Sequence, residues 1–357
     1  MIKRHQTRSV RVGPLQIGGQ APIVIQSMNN TDTRDVAATL DQIRQLHEAG
    51  CDLTRLAVPD MQAAEAFGVI RARSPLPIVA DIHFDYRLAL AAIEAGADKI
   101  RINPGNIGGP DRLRQVISLA KARRIPIRVG VNAGSLSQDV IDRHGGVCAA
   151  ALVDSALEAA DLLEKWDFHD VVLSIKASEP VLNLEACRML VARTDIPLHI
   201  GVTEAGTLRE GVVRSAVGIG ALLAEGIGDT LRVSLTADPV EEVRTAWSIL
   251  RALDLRQRGP RLISCPTCGR TEVDLTRIAS EVEERLQEFS APIRVAVMGC
   301  VVNGPGEARQ ADIGLAGGKG SFMLFRNGKI LRKVKEEDAV EELIREIRAM
   351  LAERDHG

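Results

Sequence analysis

One unit recurs eight times between residues 23 and 236, and it restricts the fold more than any other feature of the chain. Each copy is a short run rich in β-branched residues, entered from a polar or glycine turn and followed by a stretch with helical apolar spacing. The runs are IVIQSM (23–28), LTRLAV (53–58), IVADIH (78–83), KIRINP (99–104), IRVGVN (127–132), VVLSIKAS (171–178), LHIGVTE (198–204) and TLRVSLT (230–236). The segments between them, such as TRDVAATLDQIRQLHEAG and DSALEAADLLEKW, are rich in Ala and Leu, and several close on Gly as a helix C-cap does. A strand that returns through a helix lies parallel to its predecessor. Eight such units in about 250 residues have the dimensions of a (β/α)8 barrel. An open doubly wound sheet uses the same alternation, but a count of eight is what closes a ring.

Strands of a parallel sheet are covered on both faces and normally read as continuous apolar runs. Five of these carry a cation instead: Arg55, Arg101, Arg128, Lys176 and Arg232. Acids and amides accompany them. Asp81 and His83 end the third run, Asn103 lies in the fourth, Asn132 ends the fifth, Glu204 ends the seventh, and Ser234 follows Arg232 by two. Alternation puts Arg101 with Asn103, Arg128 with Asn132, and Arg232 with Ser234 on one face, leaving Ile100, Ile102, Val129, Val131, Val233 and Leu235 for the other. The polar set is therefore expected to line the lumen and its C-terminal mouth. Five cations against two carboxylates, Asp81 and Glu204, leave positive charge that a low dielectric tolerates only when an anion enters. A diphosphate supplies that charge. Two loops suit such a ligand: NPGNIGGP (103–110), with glycines and a Pro fit for a first helical position, and the longer polar NAGSLSQDVIDRHGG (132–146).

A chain of 357 residues exceeds what one core usually organises, and near residue 258 the repeat stops at RQRGPRL, a basic linker marked by Gly and Pro. A barrel domain over 1–257 and a smaller α+β domain over 258–357 are expected. The second domain reads as a CPTC turn, a helix over TRIASEVEERLQEF, a strand IRVAVMG, strands near DIGLAG, SFMLFRNG and KILRKV, and a charged last helix, EEDAVEELIREIRAMLAE. Lys and Arg number 45 against 47 Asp and Glu, a formal net charge of -2. With a single Tyr and 3% aromatic residues, that balance gives no basis for nucleic-acid binding. No apolar run of about 18 residues occurs, and the basic start MIKRHQTRSVRVG has no apolar stretch behind it. A soluble, uncleaved, cytoplasmic protein without membrane partners is expected.

Six cysteines are too few for a disulfide scaffold in a chain of this length. Cys51, Cys148 and Cys187 fall before a strand or in helical stretches, where a small buried hydrophobe is the expectation. The other three belong to the second domain: SCPTCGR supplies Cys265 and Cys268, and MGCVVNGPGEA supplies Cys300 and, past a Gly and Pro turn, Glu307. A closed structural zinc site lacks its fourth ligand, because the only His of this domain is His356. A redox CxxC pair leaves Cys300 unexplained. An iron and sulfur cluster normally takes four cysteines, so three leave one iron to something weaker or to substrate. Glu307 is the nearest carboxylate, and otherwise an ordinary loop acid. Two rivals stand beside the cluster reading: a barrel lyase or transferase for a phosphorylated metabolite carrying a structural zinc module, and a binding module that senses diphosphates.

Taken in order, NPGN, RVGVNAGSL, SIKAS, TEAG, SCPTCGR and MGCVVNGPGEA resemble the hydroxymethylbutenyl diphosphate synthase family over essentially the whole chain. The stretch between Arg232 and Cys265 has no room for the additional domain of plant-type relatives, so the likeness is to the bacterial two-domain form. The resemblance implies an iron–sulfur oxidoreductase, a TIM barrel with a cluster domain. It implies the reductive dehydroxylation and ring opening of 2-C-methyl-D-erythritol 2,4-cyclodiphosphate to 4-hydroxy-3-methylbut-2-enyl diphosphate, on the methylerythritol phosphate route to isoprenoids. Cys265, Cys268 and Cys300 would bind a 4Fe–4S cluster with Glu307 as fourth ligand. Arg55, Arg101, Arg128 and Lys176 would grip the diphosphate, with His83, Asn132, Arg232 and Ser234 nearby and Glu204 as the barrel's acid. A flavodoxin or ferredoxin would deliver the electrons, and a homodimer would let each cluster domain cover the partner's barrel.

Overall fold

A computed structural model describes residues 2–103, 107–300 and 311–355. The chain divides into two compact units, Met1–Arg256 and Gln257–Gly357.

The first unit opens with a hairpin, β1 (Val10–Val12) paired antiparallel with β2 (Leu15–Ile17). Eight parallel strands follow: β3 (Val24–Met28), β4 (Leu53–Ala57), β5 (Ile78–Asp81), β6 (Lys99–Ile102), β7 (Ile127–Asn132), β8 (Val171–Lys176), β9 (His199–Ile200) and β10 (Thr230–Leu231). Their order is β8-β7-β6-β5-β4-β3-β10-β9. The ring closes at Leu173, which bridges Leu198 in parallel and donates its N–H to the Pro197 carbonyl at 3.0 Å. The expected barrel is what forms. Its last two ladders are shorter than the runs 198–204 and 230–236 suggested, and beyond them the chain at Gly201 passes very close to its neighbours. A Cβ there would stand 2.6 Å from the Arg232 carbonyl and 2.9 Å from Lys176 Nζ.

The helices between strands are α1 (Val36–Glu48), α2 (Met61–Arg73), α3 (Tyr86–Glu94), α4 (Pro110–Arg123), α5 (Gln138–His144), α6 (Ala149–Glu164), α7 (Pro180–Val191), α8 (Leu208–Ala224) and α9 (Pro239–Ala252). Their starts are chemical. Asp60, Asp85 and Asp238 accept the N–H of Ala63, Arg87 and Val240, and Pro110 takes the first position of α4. Several ends are glycines in the left-handed region: Gly50 and Gly96 at φ 91° and 88°, after which Cys51 and Ala97 donate back to the Leu46 and Ala92 carbonyls.

Alternation along the strands sorts the side chains as expected. Ile100, Ile102, Val129, Val131 and Val233 enter the apolar layer between strands and helices, with Leu235 at its edge. The opposite face is layered. At the start of the strands Val24, Leu53, Val79 and Val172 pack with Val10, Val12 and Ile17 of the hairpin, so the barrel floor is apolar and plugged. Three aspartates tie this end together, each one at a strand start and each accepting a backbone N–H from the neighbouring strand. Asp52 accepts from Ile25 at 2.8 Å, Asp98 from Ile78 at 2.8 Å and Asp229 from Leu198 at 3.0 Å. Arg256, Arg71 and Arg4 respectively neutralise them.

The second unit holds a five-stranded sheet, β11 (Arg261–Ser264), β12 (Arg294–Met298), β13 (Ile313–Gly318), β14 (Ser321–Arg326) and β15 (Lys329–Lys335), in sequence order. The first three strands are parallel and the rest antiparallel. Helix α10 (Leu275–Leu286) and the C-terminal helix Ala339–Asp355 bury Ile278, Val282, Leu343 and Ile347 against it. The basic stretch RQRGPRL, expected as a linker, runs into β11. That strand shows no buried face, so no apolar alternation marks it in the sequence. No helix among the described residues is long and apolar enough to cross a membrane.

Candidate active site

Above the apolar floor the lumen becomes cationic. Arg55 on β4, Lys99 and Arg101 on β6, Arg128 on β7 and Lys176 on β8 are all buried, Lys99 with 0% and Arg128 with 2% of its surface exposed. Arg232 follows β10 and is half-buried. Parallel register puts Arg101 beside both Asp81 and Arg128, and Asn132 beside Lys176. Gly130 makes room, since a Cβ there would lie 3.2 Å from Arg101 Nε.

Two buried carboxylates answer these cations. Asp81 lies 3.6 Å from Arg55 Nε, 3.4 Å from Arg101 Nη1 and 3.3 Å from His83 Nε2. Glu242, from α9, accepts Arg232 Nη2 at 3.0 Å and Nε at 3.2 Å, and also the Ser27 hydroxyl and the Leu235 N–H. Beyond these pairings the cations make do with weak acceptors or none. Arg55 donates to the Met28 thioether at 2.8 Å, Arg128 to the Ser174 hydroxyl at 2.7 Å, and Lys176 Nζ sits 3.3 Å from His199 Nε2. Lys99 Nζ, Arg101 Nε, Arg128 Nε and Arg128 Nη2 are buried with no hydrogen-bond partner. An unpaired buried donor costs about 1–3 kcal/mol, and more when charged.

The electrostatics follow from this census. Burial first, then the charges of Arg55 and Arg101, push Arg128 well below the usual guanidinium range. Burial and the neighbouring arginines depress Lys99 and Lys176 strongly as well, and burial with Lys176 does the same to His199. Arg55 comes down to about 10, again chiefly by burial, with Asp81 opposing. Burial acts to raise Asp81, yet Arg55, His83 and Arg101 outweigh it and hold the carboxyl well below the carboxylate range. Positive charge in excess of its partners is the defining property of this pocket.

Most of the expected lumen set therefore comes together, with two corrections. Glu204 is not the second lumen carboxylate: it is exposed on the loop after β9, at φ 53°, and makes no ion pair with any described residue. Glu242 holds that place, and nothing in DPVEE distinguishes it from the adjacent exposed-face acids. Lys99 joins the set as an additional lumen cation, sharing the parity of Arg101 by the same period of two. His83 is exposed at the mouth, and Asn132 and Ser234 are half-buried. A left-handed backbone at a non-glycine residue, as at Glu204 and at Phe84 beside His83, is a strain that surrounding structure must hold. Of the loop NPGNIGGP, residues 104–106 lie outside the described residues.

In the second unit the cysteines are uncrosslinked. The parallel pairing of β11 with β12 brings Cys265 next to the start of the Cys300 loop, where Gly299 donates its N–H to Cys265 Sγ at 3.2 Å. Cys268 is exposed, and hydrogen bonds from the Arg270 backbone and side chain lower its thiol from the usual range. Three free thiols on two loops at one end of a sheet suit a soft metal centre. Among the described residues no three His, Cys, Asp or Glu side chains yet gather into a ligand group. Glu307 lies outside them. Cys51 and Cys187 are buried as expected and burial pushes both thiols up to about 12, while Cys148 is half-buried ahead of α6.

Fold and site define a two-domain TIM-barrel protein whose lumen is short of anions and whose smaller domain presents three thiols. Residues 7–247 match the GcpE TIM-barrel domain and residues 261–349 match the GcpE protein C-terminal domain, and the chain belongs to the GcpE family. The 4-hydroxy-3-methylbut-2-en-1-yl diphosphate synthase (flavodoxin) of Geobacter sulfurreducens is 55% identical over 98% of this chain and 99% of its own. The protein of the same name from Geobacillus kaustophilus is 56% identical over 97% of this chain and 93% of its own. Among solved structures, a Yersinia pestis dihydropteroate synthase superposes with a TM-score of 0.50 at 12% identity, over 70% of this chain and 99% of that one, which speaks to the barrel fold alone.

Proposed function

We propose that this chain is a 4-hydroxy-3-methylbut-2-enyl diphosphate synthase of the bacterial two-domain type. It takes 2-C-methyl-D-erythritol 2,4-cyclodiphosphate, two electrons and protons to the linear hydroxymethylbutenyl diphosphate and water. The reading is supported by membership of the GcpE family and the names of its relatives. The single observation that carries the substrate class is the buried cationic lumen with orphaned donors on Lys99, Arg101 and Arg128.

In this proposal Arg55, Arg101, Arg128 and Lys176 grip the diphosphate, and His83, Asn132, Arg232 and Ser234 orient the carbon skeleton. Asp81 and Glu242 hold their arginines in place so that the clamp is set before the ligand arrives. Glu204, at the mouth, holds the proton for the departing hydroxyl. Cys265, Cys268 and Cys300 are the residues to hold a 4Fe–4S cluster, with Glu307 as the displaceable fourth ligand. The donor chemistry fits, since three thiolates and one carboxylate leave a position that can be vacated. Such a cluster supplies low-potential electrons and a Lewis acid for oxygen. A flavodoxin, as in the relatives' names, is the proposed donor with ferredoxin second, and the proposed assembly is a homodimer in which each cluster domain (258–357) covers the partner's barrel (1–257).

Anaerobic purification with iron and acid-labile sulfide quantitation tests the reading, followed by turnover of the cyclodiphosphate with reduced flavodoxin. Brown protein with both elements and linear product is expected. Glu307→Ala should lose cluster occupancy or turnover. Colourless, air-stable protein with zinc, or no turnover by the loaded protein, overturns the reading in favour of the zinc-module alternative or the sensor.

A further inference from the structure

Lys99 belongs to the cationic lumen but is not among the four side chains assigned to grip the diphosphate. Its Nζ has neither exposed surface nor a hydrogen-bond partner. Its charged neighbours are Arg128 from β7 and Arg55 from β4, and it acts in turn on His199 from β9. Arg101 from its own strand and Arg232 from beyond β10 complete the cationic lumen around Lys176 of β8. The two carboxylates of this layer are committed elsewhere: Asp81 to Arg55, Arg101 and His83, and Glu242 to Arg232. A buried ammonium with neither acceptor nor counter-charge is the most unfavourable state open to a lysine, and loss of its proton relieves it. An entering anion reverses that balance, because its charge comes to rest among the same arginines.

We infer that Lys99 is a positioning residue that acts by charge: it gains a proton from solvent as the anion settles against Arg55, Arg101 and Arg128, so that ligand binding and proton uptake by the lumen are one linked event. This rests on the diphosphate reading above. The step is simple protonation of the amine, with no other bond changed. The ammonium then faces the diphosphate, where ring opening by C–O cleavage leaves one more ionised oxygen than the cyclic dianion had. The cyclic ligand is also a clean probe. Each of its phosphoryl groups is diester-like with one strongly acidic proton, so near neutral pH any proton taken up goes to the protein.

The test is a calorimetric titration of the anaerobic holoenzyme, without reductant, with 2-C-methyl-D-erythritol 2,4-cyclodiphosphate in two buffers of unlike ionisation enthalpy. The bound state holds more protons, so wild-type affinity should rise as pH falls, by up to about tenfold per pH unit for each linked proton. The binding enthalpy should differ between buffers in the sense of uptake. Lys99→Met, which keeps the stem volume, and Lys99→Arg, which is permanently charged, should each lose that proton and flatten the pH profile. A role confined to packing would lower the melting temperature of Lys99→Met and leave the profile unchanged. A wild-type enthalpy identical in both buffers overturns the inference without any variant. Unchanged uptake in the Lys99 variants overturns it too, and assigns the proton to Lys176 or His199. Absence of binding heat in wild type removes the diphosphate reading itself and this linkage with it.

Discussion

Arg128→Met should make the ligand-free protein more stable and the ligand-binding protein worse. Arg128 is almost fully buried, and two of its three guanidinium nitrogens, Nε and Nη2, have no partner. At about 1–3 kcal/mol for each unsatisfied buried donor, their removal is worth roughly 2–6 kcal/mol. Against this stands the bond from Nη1 to the Ser174 hydroxyl at 2.7 Å, a charged-donor bond of about 1.5–3 kcal/mol. Methionine fills the stem's volume without charge, and relief of repulsion from Arg55 and Arg101 adds to the gain. The central values leave a net stabilisation of about 2 kcal/mol, in line with replacement of buried ions by apolar isosteres. For a barrel of this size that is a rise of roughly 4–8 °C in melting temperature. The same change removes a buried charge-assisted contact worth about 2–5 kcal/mol to the anion, a loss of roughly 30-fold to 5,000-fold in affinity. Thermal melts in buffer free of phosphate and sulfate, with and without the cyclodiphosphate, read both effects. A variant that melts several degrees below wild type with no anion present would refute the reasoning, because it would mean that Arg128 is satisfied in the empty barrel.

Glu242→Ala acts oppositely: it strips a buried carboxylate from Arg232, the Ser27 hydroxyl and the Leu235 N–H, and should cost about 3–5 kcal/mol in denaturant melts. A cost below about 1 kcal/mol would show that Arg232 finds its partner elsewhere. For Asp81 the sign is that of a depressed carboxyl. Its stabilisation is complete above the unfolded value of about 3.9 and is lost as pH falls below that toward the lower folded one. Wild type should therefore lose stability in acid more steeply than Asp81→Asn, and parallel acid limbs would contradict the pairing.

The legible part of the molecule is the part governed by period. Eight apolar runs with cations at fixed parity gave the barrel and most of its lining, because a parallel strand has no other reason to carry Arg101 or Arg128. What escaped depends on distance in the chain or on too few residues. The hairpin strands Val10–Val12 and Leu15–Ile17 are three residues each, too short for alternation to register. Strand β11 is exposed at both ends and only half-buried at Leu262 and Ile263, which pack on opposite clusters, so no one-sided alternation marks it, and its order comes largely from the ladder with β12. Glu242 reaches the lumen from a helix, where period two does not apply, and Glu204 was credited with a burial that only a strand position would have given it. In the second unit the CPTC turn and Cys300 were visible as residue types, while their approach comes from the β11 and β12 ladder.

The two ends of the barrel divide opposing tasks. At the strand starts, Asp52, Asp98 and Asp229 each satisfy a neighbouring strand's N–H and an arginine, and the hairpin seals an apolar layer above them. Gly13, at the hairpin turn, sits so close that a Cβ would lie 2.5 Å from Asp98 Oδ1, which docks the plug onto the same tie. Each of these buried carboxylates has both a backbone donor and a counter-charge, so this end can carry the stability. One layer up the rule is reversed, with donors left unpaired and cations outnumbering acids. A layer so arranged is unfavourable when empty and favourable when an anion is present. The barrel can sustain it because the floor below is apolar and its aspartates are paired, and the binding energy of the anion arises largely from relief of that built-in imbalance.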